Sequence, residues 1–234
     1  MTNFRYFFIV LSLVFIPSFY SVEAKAQYLP FGPQTNVPIA TVNNGGWVEC
    51  YRDTYNIFMN ADEVLANCPG ERLMLACKPV GSQTIMLLAQ GERSDVTFNT
   101  GNDNNDFTHI ANGVGWYFNN DGLMGDEEGA AWGFVRAGDS VEKNNCDVDS
   151  SGANNERLCW HLQGDVGGYR CGSIGNNEGD LNSGPDAMSY ERIVYMAEIA
   201  PTEVPTLSEW GLIAMAGVLG IVGFMVVRRR QVAA

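Results

Sequence analysis

Between Trp210 and Val227 the sequence WGLIAMAGVLGIVGFMVV runs for 18 residues without a charge, and Arg228, Arg229 and Arg230 follow at once. As an α-helix this run is about 27 Å long at 1.5 Å per residue, close to the roughly 30 Å of a bilayer's hydrocarbon core. A helix on the surface of a globular core keeps a polar face. This one has none, and its glycines at 211, 217, 220 and 223 leave no charged stripe between them. The pattern predicts a single transmembrane helix over about 210–227. Trp210 stands where an interfacial aromatic belongs. The three arginines mark the cytoplasmic end, which puts the preceding domain on the exported side.

The other end of the chain agrees with export. Arg5 supplies a positive start, YFFIVLSLVFIP an apolar stretch broken by Pro17, and Ala24-Lys25-Ala26 a small-x-small cleavage site. The apolar stretch is short for a span, so residues 1–26 read as a signal peptide cut after Ala26, with Gln27 as the mature start. What remains is an exported domain over 27–199, one domain in size, a Pro-containing linker over 200–206, and the C-terminal segment.

Setting aside Arg5, Glu23, Lys25 and the terminal arginines, the chain's 14 basic and 27 acidic residues fall to nine and 26. A domain of that charge repels phosphate backbones, which excludes nucleic acid as a partner, and it draws cations. Cys50, Cys68, Cys77, Cys146, Cys159 and Cys171 all lie in the exported part. An even count behind a signal peptide predicts disulfides. No close C-x2-C pair supports zinc. Six cysteines allow 15 connectivities. Their clustering into 50–77 and 146–171 favours one bridge within each group and leaves room for one between them.

Residues 27–46 are rich in Pro, Asn and Gly and read as an extended lead-in. WVECY at 47–51 reads as the first strand. Ala61 to Asn67 reads as a short helix, with Asn60 as its cap, Glu63 at the capping-box position and Cys68-Pro69-Gly70 as its stop. RLMLACKPV, QTIMLLAQ and SDVTFNT follow as a meander of strands. VGWYFN, AAWGFV, RLCWHL and GGYRC then alternate with Gly/Asn/Asp loops, and YERIVYMAEI closes the domain as a strand. Many short strands with frequent turn chemistry predict a mainly β fold, a disulfide-stabilised sandwich or barrel.

Calcium is the cofactor that the loops admit. Asp147, Asp149 and Ser151 in DVDSSG place oxygens at alternate positions before a glycine, with Glu156 in reach to complete a site. Position twelve of that loop is Leu158 rather than an acid, and no helix pattern flanks it, so it is not an EF-hand. Gly138-Asp139-Ser140-Val141 resembles the nucleophile block of one esterase superfamily. It stands mid-domain, however; Asp106 does lie three residues before His109, but that pair precedes the block instead of following it late in the chain, and Leu158 holds the corresponding place before His161. Both histidines read as hydrogen-bonded structural residues. Trp116, Tyr117, Trp132, Trp160 and Tyr169 recur beside glycine-rich loops, either as core or as a face for an extracellular glycan or protein ligand. The 26 acids single out no pair for glycoside hydrolysis.

Val204 to Gln231 carries a family resemblance. Pro205-Thr206-Leu207-Ser208-Glu209-Trp210-Gly211, a short apolar span and a basic tail are similar to the IPTL-CTERM sorting domain of Gram-negative bacteria, with Val204 in place of the usual isoleucine. The resemblance implies a tripartite sorting signal. It also implies recognition by an exosortase-like membrane peptidase, which would release or re-anchor the protein at the surface. The expected function is thus a membrane-anchored surface or envelope protein with a non-enzymatic recognition or structural module. A surface hydrolase acting on carbohydrate is the alternative.

Overall fold

The computed structural model describes residues 27–57, 59–101, 107–120, 131–141, 156–162, 170–173, 185–198 and 207–232 of the 234-residue chain. The first sheet contains β1 (Gln34–Pro38), β2 (Val48–Thr54), β3 (Arg72–Pro79), β4 (Thr84–Glu92) and β10 (Tyr190–Ala197), in the order β1-β4-β3-β10-β2. The second contains β5 (His109–Ala111), β6 (Val114–Phe118), β7 (Ala131–Arg136), β8 (Leu158–His161) and β9 (Arg170–Cys171), in sequence order. Every strand pair in both sheets is antiparallel. Short helices α1 (Ile39–Asn44), α2 (Ala61–Asn67), α3 (Arg93–Val96) and α4 (Pro185–Ser189) connect them, and α5 (Leu207–Val232) follows the sandwich.

Side-chain alternation assigns each face. Leu73, Leu75 and Cys77 of β3 point into one core with Val114, Trp116 and Phe118 of β6 and with Trp132, Phe134 and Trp160. Their neighbours Met74 and Ala76 point the other way, under Val42 of α1 and Trp47. Both faces of the first sheet are therefore covered, which is why β3 is a continuous apolar run instead of an alternating one. In the inter-sheet core Trp132 meets Phe118 and Trp160 edge-on, at centroid distances of 5.4 and 5.7 Å. Its indole N–H donates to the Val96 carbonyl at 3.0 Å, so the buried ring keeps a polar partner.

Two disulfides are described, one of which ties the layers. Cys77–Cys171 joins β3 of the first sheet to β9 of the second, and Cys50–Cys68 fastens the end of α2 to β2. One expected bridge thus lies inside the first cysteine group and one runs between the groups. Cys159 is also disulfide-bonded. Cys146 lies outside the described residues.

The expected helix at 61–67 forms as read: the Asn60 side-chain oxygen accepts from the Asp62 and Glu63 amides at 3.0 and 3.3 Å. SDVTFNT is not a strand. Arg93 to Val96 coil into α3, and Thr97 Oγ1 donates back to the Arg93 carbonyl at 2.8 Å. The Arg93 guanidinium meanwhile donates to the Leu65 and Cys68 carbonyls, satisfying the open C-terminal end of α2. The lead-in expected to be extended contains β1 and α1. The closing strand sits between β3 and β2, inside the sheet rather than at its edge.

Gly133 of β7 has no room for a side chain. A Cβ there would lie 2.1 Å from the Leu158 carbonyl oxygen and 2.5 Å from the Tyr117 hydroxyl, which itself donates to that carbonyl at 2.9 Å. Gly133→Ala should cost roughly 1–3 kcal/mol or more, because backbone and a buried ring must both shift. A lowered urea midpoint with an unchanged slope is the expected result.

Among the described residues no helix is long and apolar enough to cross a membrane. Helix α5 has 26 residues, and its side chains are described over 212–225 and at Arg228. Leu212, Ile213, Met215, Val218, Leu219, Ile221, Val222, Phe224 and Met225 are all exposed.

Candidate functional site

Among the described residues, one candidate site lies between β2 and α2. Tyr51 and Asp53 project from the strand, and Asn60, Glu63, Val64 and Asn67 come from the helix and its cap; together they line a pocket of about 170 Å³. Its geometry depends on three local devices. The Asn60 cap starts α2, Cys50–Cys68 holds the helix end against β2, and Arg192 ties down the intervening turn. The Arg192 guanidinium donates to the Thr54 carbonyl at 3.2 Å and to that of Ile57, and lies 5.5 Å from the centre of the Tyr55 ring.

The electrostatics of this corner follow from burial. Desolvation lowers the Arg192 guanidinium, against the attraction of Tyr51, Tyr55 and Asp53. Desolvation raises the Tyr51 hydroxyl; Arg192 opposes that shift, while Asp53 and Glu63 add to it. Tyr55 is raised by burial, and its hydroxyl accepts from the Trp160 indole at 3.2 Å and donates to the Arg170 carbonyl at the same distance. Tyr195 on the opposite face is pushed up to about 12 by burial.

These three hydroxyls hold their protons to higher pH in the fold than in the unfolded chain, whose tyrosines ionise near pH 10. Their contribution to stability is therefore fully present below about pH 10 and is lost as pH climbs from there through the folded values. Arginine keeps its proton over this range. A urea midpoint that is flat at neutral pH and drops above about pH 10 is expected, with Tyr195→Phe reducing the drop.

Two carboxylates, a phenol and two amides can hold a small cationic or hydroxylated group. The pocket is nonetheless smaller than the roughly 300–1,000 Å³ of enclosed small-molecule sites.

A second feature escaped the sequence reading. Phe98 and His109 stack with ring centroids 4.4 Å apart and 13° between planes, Phe107 tilts against Phe98 at 6.5 Å, and His109 Nε2 lies 2.8 Å from Asp95. Phe98 and Phe107 are exposed. The available signal was one phenylalanine near the end of SDVTFNT, read as a strand, and another in the polar segment DFTH. Of the aromatics read either as core or as a recognition face, Trp116, Tyr117, Trp132 and Trp160 are fully buried core. Tyr169 lies outside the described residues.

Of the candidate calcium ligands, Asp147, Asp149 and Ser151 lie outside the described residues. Glu156 sits 3.9 Å from Arg136. Among the described residues no group of three or more His, Cys, Asp or Glu side chains is gathered to hold a metal. Gly138-Asp139-Ser140 forms a turn after β7, where Asp139 pairs with Arg136 at 3.4 Å and Arg157 at 3.8 Å, and the Ser140 carbonyl accepts from Arg157. His161 is buried in β8. Ala24, Ala26, Pro205 and Thr206 lie outside the described residues, whereas Leu207 to Gly211 open α5.

The class defined by this geometry is a two-sheet antiparallel β protein closed by disulfides and followed by a separate C-terminal helix. Residues 204–231 match the IPTL-CTERM motif, so the chain carries that C-terminal sorting signal. Comparison with curated proteins and with solved structures found no match.

Proposed function

We propose that this is an exported, cell-surface-associated protein, in which α5 spans a membrane and the sandwich is displayed outside as a non-enzymatic recognition or structural module. The observation that carries this reading is the IPTL-CTERM match lying on a helix whose described apolar side chains are exposed. Nine large apolar side chains left in water forgo roughly 1.5–3 kcal/mol each, a deficit that lipid removes. The bridges Cys50–Cys68 and Cys77–Cys171 agree with an oxidising compartment.

Gln27 Nε2 lies 3.4 Å from the Glu198 carbonyl, so the two ends of the sandwich meet at one place. Strand β10 runs away from that place for eight residues, about 25 Å. The turn at Val80 and Gly81, which bonds to Ser189 beside the start of β10, therefore stands at the end remote from the tether. Calcium at Asp147, Asp149, Ser151 and Glu156 belongs to this reading as a loop-ordering ion, and an exosortase-like peptidase as the partner of the tail.

Export and anchoring are tested together in bacterial cells making the full chain. The protein should resist alkaline extraction from membranes, and protease added outside the inner membrane should digest the sandwich. A protein that washes off freely overturns the anchor. For calcium, EDTA should lower the melting temperature of the purified protein, and an unchanged value removes the ion from the proposal.

A further inference from the structure

We propose that Gln27 is a modification site: once it becomes the first residue, it cyclises to pyroglutamate. The inference rests on signal removal after Ala26. Before that cut the Gln27 nitrogen is an amide and not a nucleophile. Afterwards it is an α-amine with a pKa of about 7.7–8.0, neutral in a useful fraction at physiological pH.

The fold holds this residue at the terminus and leaves its side chain available. Both backbone groups of Tyr28 are engaged: its N–H donates to the Gly45 carbonyl at 3.0 Å, and its carbonyl accepts from the Trp47 indole at 2.6 Å. The Tyr28 side chain covers Gly45 so closely that a Cβ there would lie 2.2 Å from Tyr28 Cβ. Two residues on, the Pro30 carbonyl accepts from Gln90 and Asn112, both at 2.9 Å. These bonds fasten the chain from Tyr28 inward, so fraying and trimming stop there. Gln27 itself makes one exposed hydrogen bond, the long 3.4 Å contact from Nε2 to Glu198. Little holds its amide away from the new amine.

The step balances within the residue. The α-nitrogen lone pair attacks Cδ, the N–Cδ bond closes a five-membered lactam, and the Cδ–Nε2 bond breaks. Nε2 leaves as ammonia, carrying one proton from the α-amine. No oxidant, metal or co-substrate is required. The product is an uncharged N-terminus, closed to aminopeptidases, beside the base of the C-terminal tether.

The test uses the full chain exported from bacterial cells. The protein is purified, reduced, and digested with an acid protease that keeps the amine protonated, so that no ring closes during handling. The N-terminal peptide should begin at residue 27, weigh one ammonia less than the linear form and lack a free amine. Gln27→Asn, whose shorter side chain would need a four-membered ring, should keep its free amine. A wild-type peptide with linear Gln27 overturns the inference and leaves the cleavage site standing. A peptide beginning at any other residue removes the cleavage reading and the inference with it.

Discussion

Replacing both Cys77 and Cys171 with alanine is expected to cost roughly 4–5 kcal/mol, the larger of the two described disulfide effects. The bridge spans 94 residues of sequence, so opening it releases a long loop in the unfolded chain. Cys50–Cys68 spans 18 and is worth roughly 3 kcal/mol on the same chain-entropy argument. The two also differ in what they hold. Cys77 and Cys171 are fully buried and link the middle of one sheet to the edge strand of the other, whereas Cys50–Cys68 secures one short helix. For a domain of this size the first loss corresponds to a melting temperature lowered by about 10–20 °C. It is also a large share of the roughly 5–15 kcal/mol that holds most domains together. Urea titrations of the two double mutants under non-reducing conditions decide the matter. If Cys50→Ala with Cys68→Ala is the more damaging pair, the sheets are held by their apolar core and the inter-sheet bridge is secondary.

Which parts of this architecture could be read beforehand follows from whether their causes are local. Helix α2 was legible because Asn60, Glu63 and Pro69 act within one turn of the chain. Strands β3 and β4 were legible as apolar runs. Their continuous burial was less so, because Met74 and Ala76 are covered by Val42 and Trp47 through a contact that no local pattern encodes. The hairpin of β5 and β6 turns on Asn112-Gly113, where both residues have positive φ, 51° and 73°. Only a primed turn of this kind matches the strand twist in two residues, and the Asn-Gly pair before VGWYF is a signal for it that the sequence reading left unused. Helix α3 was misread because S-D-V-T suits a strand by composition, while Arg93 and Thr97 satisfy the backbone as a helix. The insertion of β10 between β3 and β2 is a long-range pairing without a local signature. The pocket inherits that difficulty: Tyr51 and Glu63 face one cavity because Cys50 chose Cys68 among the available partners.

Ending the chain after Glu203 is expected to move the protein almost completely from the membrane pellet into the soluble exported fraction. The deletion removes the nine exposed large apolar side chains of α5, and their combined transfer energy exceeds 10 kcal/mol on the order-of-magnitude scale of side-chain burial. The sandwich should keep its melting temperature, since its core lies within residues 37–197. That result alone does not separate an anchor from a signal, because any apolar helix would anchor. A second variant makes the distinction: Pro205→Ala with Trp210→Ala leaves the apolar residues from Leu212 to Met225 and the arginines in place while altering the matched motif. In cells that contain the sorting peptidase, this variant should fractionate with membranes and retain the mass of its tail, while the wild type loses the tail or exchanges it for another anchor. Equal masses for the two proteins in such cells would reduce residues 204–231 to a plain anchor. The difference is one of chemistry as well as location: the transfer energy of α5 would account for residence in a membrane and is indifferent to the order of Pro, Thr, Leu, Ser and Glu before it. A consequence that changes with that order therefore requires a protein that binds those side chains.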